Sequence, residues 1–311
     1  MSDYRVSIII PAYNAEKTLA QTCASVARQR YPLWECLIVD DGSTDGTKAI
    51  ALDSAGADSR FRYIYQENQG VSAARNCGIQ ASYSPLLAFL DADDLWLPYT
   101  LEALVNPFKK QGNLDVVWGN AERFIENGDI KPVAWKNYHT TGVAWYDMFV
   151  HDFLPMGSFC LRREALPLFP CFDASITHGE DRDFLLRVLK GATTAAVADT
   201  LLLVRLHGAS ASSRAEQAIV SEIRSMQKHL DDPDIPPAVR RRASSSLAFR
   251  CAIIAGFTGG DWLCALRWYV RAVFRDPLNG NNYLLVLRKV WMTVFPPPRR
   301  CVDSLYGLPH E

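Results

Sequence analysis

Five apolar residues, Leu86 to Leu90, run straight into Asp91-Ala92-Asp93-Asp94. A short apolar run reads as a buried strand. Unpaired charge is too costly to follow it into a core, so the three carboxylates are expected to emerge together at the strand's end. Held on a rigid sheet edge, they are hard oxygen ligands suited to Mg²⁺ or Mn²⁺. Two earlier runs end in polar groups of the same kind: Val6–Ile10 in Pro11-Ala12-Tyr13-Asn14, and Cys36–Val39 in Asp40-Asp41-Gly42. A further acidic pair, Glu180-Asp181, follows Gly179 and opens a helical pattern. Each group also has a plainer use. Asp-Ala-Asp suits a solvated turn, Asp-Asp-Gly a tight turn, and acids in a first helical turn complement the helix dipole.

The elements that must position these residues alternate. Val6–Ile10, Cys36–Val39, Arg62–Tyr65 and Leu86–Leu90 read as strands. Between the first two, Leu19, Cys23 and Val26 recur at helical spacing, with Asn14 placed as an N-cap. Thr47–Leu52 and the Ala-rich stretch Ser72–Ala81 read as the next two helices. Such alternation predicts right-handed crossovers and a parallel sheet, whose ligands bind outside the carboxyl ends of the strands. Farther on, Asp115–Trp118 reads as a strand, and Glu126-Asn127-Gly128-Asp129 as the turn of a hairpin between Arg123–Ile125 and Ile130–Val133. Asp181–Leu189 reads as a helix and Leu201–Leu206 as a strand ending in His207. After Ser210 the pattern is helical: Leu247–Phe257, Trp262–Phe274 and a segment beginning at Tyr283.

With 311 residues, 49% hydrophobic and 22% charged, the chain has an ordinary globular balance. A net charge of −1 gives no overall bias toward nucleic acid, and none is expected as a partner. The charge is uneven: from Arg240 to Glu311 there are eleven Lys/Arg and four Asp/Glu. The eight cysteines include no Cys-x-x-Cys pair, and several sit in apolar runs, which suits a reducing compartment. The N-terminus lacks the apolar stretch of a signal peptide, and no run approaches the ~20 apolar residues of a membrane span. The expected location is cytoplasmic, with peripheral contact at the inner face of the membrane through the basic C-terminal helices and Trp262, Trp268, Tyr269 and Trp291.

Five blocks in order carry a resemblance. Val6-Ser7-Ile8-Ile9-Ile10-Pro11-Ala12-Tyr13-Asn14, Leu37-Ile38-Val39-Asp40-Asp41-Gly42-Ser43-Thr44-Asp45, Gly70-Val71-Ser72-Ala73-Ala74-Arg75-Asn76, Phe89-Leu90-Asp91-Ala92-Asp93-Asp94 and Gly179-Glu180-Asp181-Arg182-Asp183 are similar in order and spacing to the blocks of the family 2 glycosyltransferases. The resemblance covers roughly residues 4–210. It implies a GT-A fold: an α/β, Rossmann-like, mostly parallel central sheet with flanking helices, followed here by a helical C-terminal appendage. The implied catalytic domain is 1–210, with a nucleotide half of about 1–95 and an acceptor half of about 96–210; residues 211–311 form the appendage.

The resemblance also implies roles. Asp93 would ligate Mn²⁺ or Mg²⁺, with Asp91 on the ribose or metal shell and Ala92 beside it. Asp41 would accept a hydrogen bond from the nucleobase; a carboxylate suits the N3–H of uracil or thymine, which favours a UDP- or dTDP-sugar. Tyr13 would stack on the base, with Pro11, Ala12 and Asn14 lining the nucleoside, while Arg75 would face the nucleotide. Asp181 would be the base that deprotonates an acceptor hydroxyl, Glu180 would orient the acceptor, and His207 would contact metal or diphosphate. The aromatic stretch with Trp135, Tyr138, Trp145, Tyr146 and Phe149 is either an acceptor platform or a satellite core. The implied reaction is inverting transfer of a sugar to a saccharide or lipid-linked acceptor in surface polysaccharide or glycoconjugate assembly, by a monomer or a homo-oligomer. Two other readings are a catalytically idle nucleotide-sugar-binding scaffold and a nucleotidyltransferase. Against the latter, Gly42-Ser43-Thr44-Asp45-Gly46-Thr47-Lys48 has the wrong spacing for a P-loop.

Overall fold

A computed structural model describes residues 4–126, 130–134, 144–151, 154–167, 171–177, 179–205, 215–253, 255 and 262–277. The first half alternates as β1 (Val6–Ala12), α1 (Leu19–Ala27), β2 (Trp34–Asp41), α2 (Thr47–Ala57), β3 (Phe61–Gln66), α3 (Val71–Ala81) and β4 (Leu86–Phe89). These four strands run parallel in the order β3-β2-β1-β4. β1 and β4 are buried along their whole lengths, which explains their largely apolar runs; the one polar residue, Ser7 of β1, donates its hydroxyl to Glu35 (2.6 Å). Ile8 and Ile10 face a core layer built with Leu19, Cys23 and Val26 of α1, while Ile9 faces a second layer with Ile79 of α3 and Phe89 of β4. Burial pushes the Cys23 thiol up to about 11 and that of Cys36 well above its usual range, so both act as small hydrophobes.

The second half extends the same sheet with mixed polarity. β5 (Leu95–Trp96), α4 (Thr100–Lys110), β6 (Val116–Glu126), β7 (Ile130–Ala134), α5 (Ala144–His151), β8 (Phe159–Arg162), α6 (Glu180–Leu189) and β9 (Thr194–Arg205) follow in the chain. The described residues form one nine-stranded sheet, β3-β2-β1-β4-β8-β6-β9-β5, with β7 also on β6. β8 is antiparallel to both β4 and β6, and β9 is parallel to β6. The expected hairpin is present as the β6–β7 pair, register Glu126↔Ile130. Then come α7 (Ala215–Leu230), α8 (Pro237–Ile253) and α9 (Trp262–Arg275). α7 and α8 close the second core layer through Met226, Leu230, Ala243 and Leu247. The segment beginning at Tyr283 lies outside the described residues.

One local expectation needs correction, and one pair of alternatives is resolved in part. Asn14 is not a helix cap, since α1 starts at Leu19 after Thr18. Asn14 instead sits in the left-handed region, φ 49°. Its amide donates to Ser43 Oγ (3.0 Å) and its Oδ1 accepts from the Thr44 amide (2.9 Å), which ties the loop after β1 to the loop after β2. An Asn tolerates that backbone because its short side chain bonds locally. Of the two readings of the aromatic stretch, Trp145 and Phe149 follow the core one: they are 6% and 0% exposed. They pack on one another edge to face at 5.5 Å. Trp135 and Tyr138 lie outside the described residues.

Candidate active site

The carboxyl ends of β1, β2 and β4 lie side by side, as a parallel sheet requires. The acids at these ends have different fates. Asp40 accepts from the Ser43 amide (2.9 Å) and from the Tyr63 hydroxyl (2.8 Å). Asp41 accepts from Gln66 Nε2 (2.7 Å) and from the amides of Gln69 (2.9 Å) and Gly70 (2.8 Å). It thus fixes the loop between β3 and α3, and about one of a carboxylate's four acceptor positions is left over. Gly42, at φ 75°, is required here, because a Cβ would lie 2.8 Å from the Asn68 amide nitrogen. Tyr13, at the rim, is 55% exposed.

The junction after β4 does not emerge as a unit. Asp91 and Asp93 are half-buried, but Asp94 is only 6% exposed. Asp94 turns inward and accepts the Arg205 amide (3.0 Å). Burial first, then the charges of Asp91 and Asp93, push its carboxyl well above the usual range. The loop is clasped from two sides. The Thr22 hydroxyl of α1 is shared between the carbonyls of Ala92 (3.0 Å) and Asp94 (2.9 Å). Arg205, at the end of β9, donates from Nε to the Asp93 carbonyl (2.8 Å) and from Nη2 to Gln21 (2.7 Å).

Arg75 is the centre of the arrangement. It lies on α3 after Gly70, whose φ of 90° suits glycine. Its side chain is 4% exposed, and its fork reaches Asp91 Oδ1 (2.9 Å) and Glu180 Oε1 (3.0 Å). Burial alone would push the guanidinium down; Asp91 and Glu180, with Asp181 behind them, push it up and keep it charged. One planar side chain therefore joins the acidic end of β4 to the acidic start of α6, and its guanidinium also lies 5.3 Å from the Phe172 ring. The next residue, Asn76, exchanges two hydrogen bonds with the Phe172 backbone (2.8 and 2.9 Å), locking α3 to the segment before α6. Arg75 Nε and the Ser72 hydroxyl are buried with no hydrogen-bond partner among the described residues, one helical turn apart on α3, which makes both candidate donors for a ligand.

Glu180 and Asp181 begin α6 after Gly179, at φ 80°. Asp181 is half-buried and its Oδ1 accepts the Arg182 amide (2.7 Å). Behind them, Asp183 is fully buried and holds Arg187 (2.6 Å), Lys228 (2.5 Å) and His229 (2.8 Å). Burial would raise its carboxyl, but the hydrogen bonds from His229, Lys228 and Arg187 hold it well below the usual carboxylate range. Ser225 Oγ also donates to the Gly179 carbonyl (3.2 Å). The appendage helix α7 is thereby pinned to the turn that carries Glu180 and Asp181. Sequence reasoning missed Asp183, Arg205 and Thr22 as organisers, and His207 lies outside the described residues.

As a cation site, the β4 junction offers two half-buried carboxylates, Asp91 and Asp93, and no cluster of three His, Cys, Asp or Glu among the described residues. That set fits a hard divalent ion that draws its remaining ligands from diphosphate oxygens and water.

Comparison with known proteins defines the class. Residues 7–167, just over half of the chain, match glycosyl transferase family 2, and the chain belongs to that family. It is 39% identical over 131 residues to the Escherichia coli UDP-Glc:alpha-D-GlcNAc-diphosphoundecaprenol beta-1,3-glucosyltransferase WfgD, a match covering 42% of this chain and 50% of that protein. It is 43% identical over 98 residues to the putative teichuronic acid biosynthesis glycosyltransferase TuaG of Bacillus subtilis, covering 31% of this chain and 39% of that one. The chain thus spans half or less of the length of these two relatives. Among solved structures, S. aureus TarS 1-349 in complex with UDP-GlcNAc aligns over 86% of this chain and 81% of that one, with a TM-score of 0.65 at 19% identity. The mannosyltransferase PcManGT from Pyrobaculum calidifontis, in complex with GDP-Man and Mn2+, aligns over 97% and 84%, with a TM-score of 0.62 at 17% identity. The fold is that of the GT-A glycosyltransferases.

Proposed function

We propose that the chain transfers a sugar, with inversion, from a nucleoside-diphosphate sugar to a hydroxyl of a saccharide or lipid-linked acceptor. The observation that carries this reading is the Arg75 bridge, which holds an acidic strand end and an acidic helix start within the span of one guanidinium. A displacement at the anomeric carbon needs a group that supports the departing diphosphate and, on the opposite side, a base for the incoming hydroxyl.

The donor side is built from β1, β2 and β4. Tyr13 stacks on the base, and Pro11, Ala12 and Asn14 line the nucleoside. Asp41, with an acceptor position left over, takes the N3–H of uracil or thymine, which favours a UDP- or dTDP-sugar. Asp93 would hold a Mn²⁺ or Mg²⁺ ion, with Asp91 on the ribose or metal shell and Ala92 against the donor. Such an ion, when bound, offsets the charge that gathers on the diphosphate as the glycosyl bond breaks. Ser72 and Arg75 Nε supply further donors to the same oxygens.

On the acceptor side, Asp181 takes the proton of the attacking hydroxyl, and the oxygen forms its bond to the anomeric carbon as the bond to diphosphate breaks. No second protein acid is needed, because the diphosphate leaves as an anion, in contrast to glycosidases. Glu180 is held by Arg75 and orients the acceptor. The lipid-diphosphate acceptor named for the E. coli relative and the teichuronic acid role named for the B. subtilis relative both support assembly of a cell-surface glycan. The test is a donor screen by thermal shift, with Mn²⁺ and after chelation. UDP-sugars should raise the melting temperature only with the ion present. No nucleotide-sugar response under either condition would refute the donor site.

A further inference from the structure

The outer face of helix α9 is exposed. Its inner face is settled: Ala272, with Trp268 and Tyr269, packs on Ala248 and Phe249 of α8, and Ser245 Oγ donates to the Ala272 carbonyl (2.8 Å). So Trp268 and Tyr269, expected at a membrane from sequence, are largely spent on the α8 contact. The opposite side carries Trp262, Leu263, Leu266, Val270 and Phe274, exposed by 53%, 63%, 56%, 42% and 83%. At helical spacing these five form one stripe about 18 Å long. Monomeric proteins rarely leave such a patch bare.

The charge beside the stripe selects its occupant. α8 holds four arginines (Arg240, Arg241, Arg242, Arg250) and α9 three (Arg267, Arg271, Arg275), and neither helix has a single carboxylate. Asp276, which follows, is buried at 5% exposure, 4.0 Å from Arg242. Arg267 and Arg271 are exposed and follow the stripe along one edge. A second copy of the chain on this face would set these arginines against their own equivalents, because a two-fold contact is self-complementary. An anionic lipid bilayer matches both features. Apolar side chains enter the acyl boundary while arginines reach the headgroups.

We propose that the outer face of α9, with Leu266 and Phe274 at its centre and Arg267 and Arg271 on its flank, docks the protein on an anionic membrane surface. Binding is read without donor or acceptor, so it stands or falls separately from the transfer reaction. The experiment is co-sedimentation of the full chain with phosphatidylcholine vesicles, with and without phosphatidylglycerol, alongside sedimentation velocity and melting curves. The wild type should bind only the vesicles that contain phosphatidylglycerol, and less at high salt. Leu266→Gln/Phe274→Gln should weaken binding on the order of a hundredfold at unchanged melting temperature, and Arg267→Gln/Arg271→Gln on the order of tenfold or more. Three results would overturn the proposal: binding that ignores phosphatidylglycerol, a dimer without vesicle binding that Leu266→Gln/Phe274→Gln dissolves, or a marked fall in melting temperature for that variant, which would place the face inside the chain's own packing.

Discussion

Replacing Arg75 separates two jobs that an arginine at this position could do. Its fork spans Asp91 and Glu180, whose side chains are 36% and 14% exposed. Removing one partner of a buried ion pair costs about 3–5 kcal/mol. Asp91 is partly hydrated and recovers some of that, so Arg75→Met should cost roughly 2–4 kcal/mol. For a domain of this size that is a fall in melting temperature of roughly 4–8 °C. Arg75→Lys keeps the charge but cannot fork, so it should fall by roughly half as much. Because the two acidic segments then drift apart, kcat/KM for sugar transfer should drop about a hundredfold in Arg75→Lys, mostly in kcat. The assays are thermal melts of the apo protein and steady-state release of nucleoside diphosphate. If Arg75 instead served only to grip the nucleotide, the apo protein would lose no stability and the loss would fall on donor affinity. An Arg75→Met variant that melts at or above the wild-type temperature refutes the bridge.

Other consequences follow from neighbouring contacts. Asp183→Asn leaves Arg187, Lys228 and His229 facing a neutral amide and should cost about 3–5 kcal/mol, read by urea unfolding. Since the Asp183 carboxyl is held low in the folded state, its contribution is complete above the ordinary value of about 3.9 and fades only as pH falls below that. Wild type and Asp183→Asn should therefore differ equally at neutral and mildly acidic pH and converge only in strong acid. Gly78→Ala would place a Cβ 2.4 Å from Ile9 Cγ2, where α3 crosses β1; a loss of about 1–3 kcal/mol is expected in chemical denaturation. Thr22→Val removes the hydroxyl that holds the Ala92 and Asp94 carbonyls. It should raise the Mn²⁺ concentration for half-maximal activity several-fold while leaving the melting temperature within about 2–6 °C of wild type.

Much of the first half was legible because strand burial there is two-sided. β1 and β4 had to be largely apolar, so the polar residues at their ends stood out, and Asp91 and Asp93 became candidates that way. Asp94 was misread as solvated for the same reason: proximity in sequence hid an amide on Arg205, 111 residues away, that donates to it and draws it inward. The Asp183 cluster was hidden likewise, since His229 lies 46 residues downstream on a helix of the appendage. In sequence Asp183 looks like one more acid in a first helical turn. The direction of Arg75 was beyond pattern reading, because an Ala-rich helix has no strong apolar face to show which side is buried. The split of α9 into an α8-facing side and an open side also needed the structure, because large apolar residues lie on both.

The account rests most directly on Asp181. Transfer to a lipid-diphosphate acceptor should be measured for wild type and Asp181→Asn, together with donor affinity and product identity. The expected result is release of nucleoside diphosphate, a fall in kcat of about 10²–10⁴ in the variant, and unchanged donor binding. Wild-type turnover in Asp181→Asn, or release of pyrophosphate in place of nucleoside diphosphate, would contradict it.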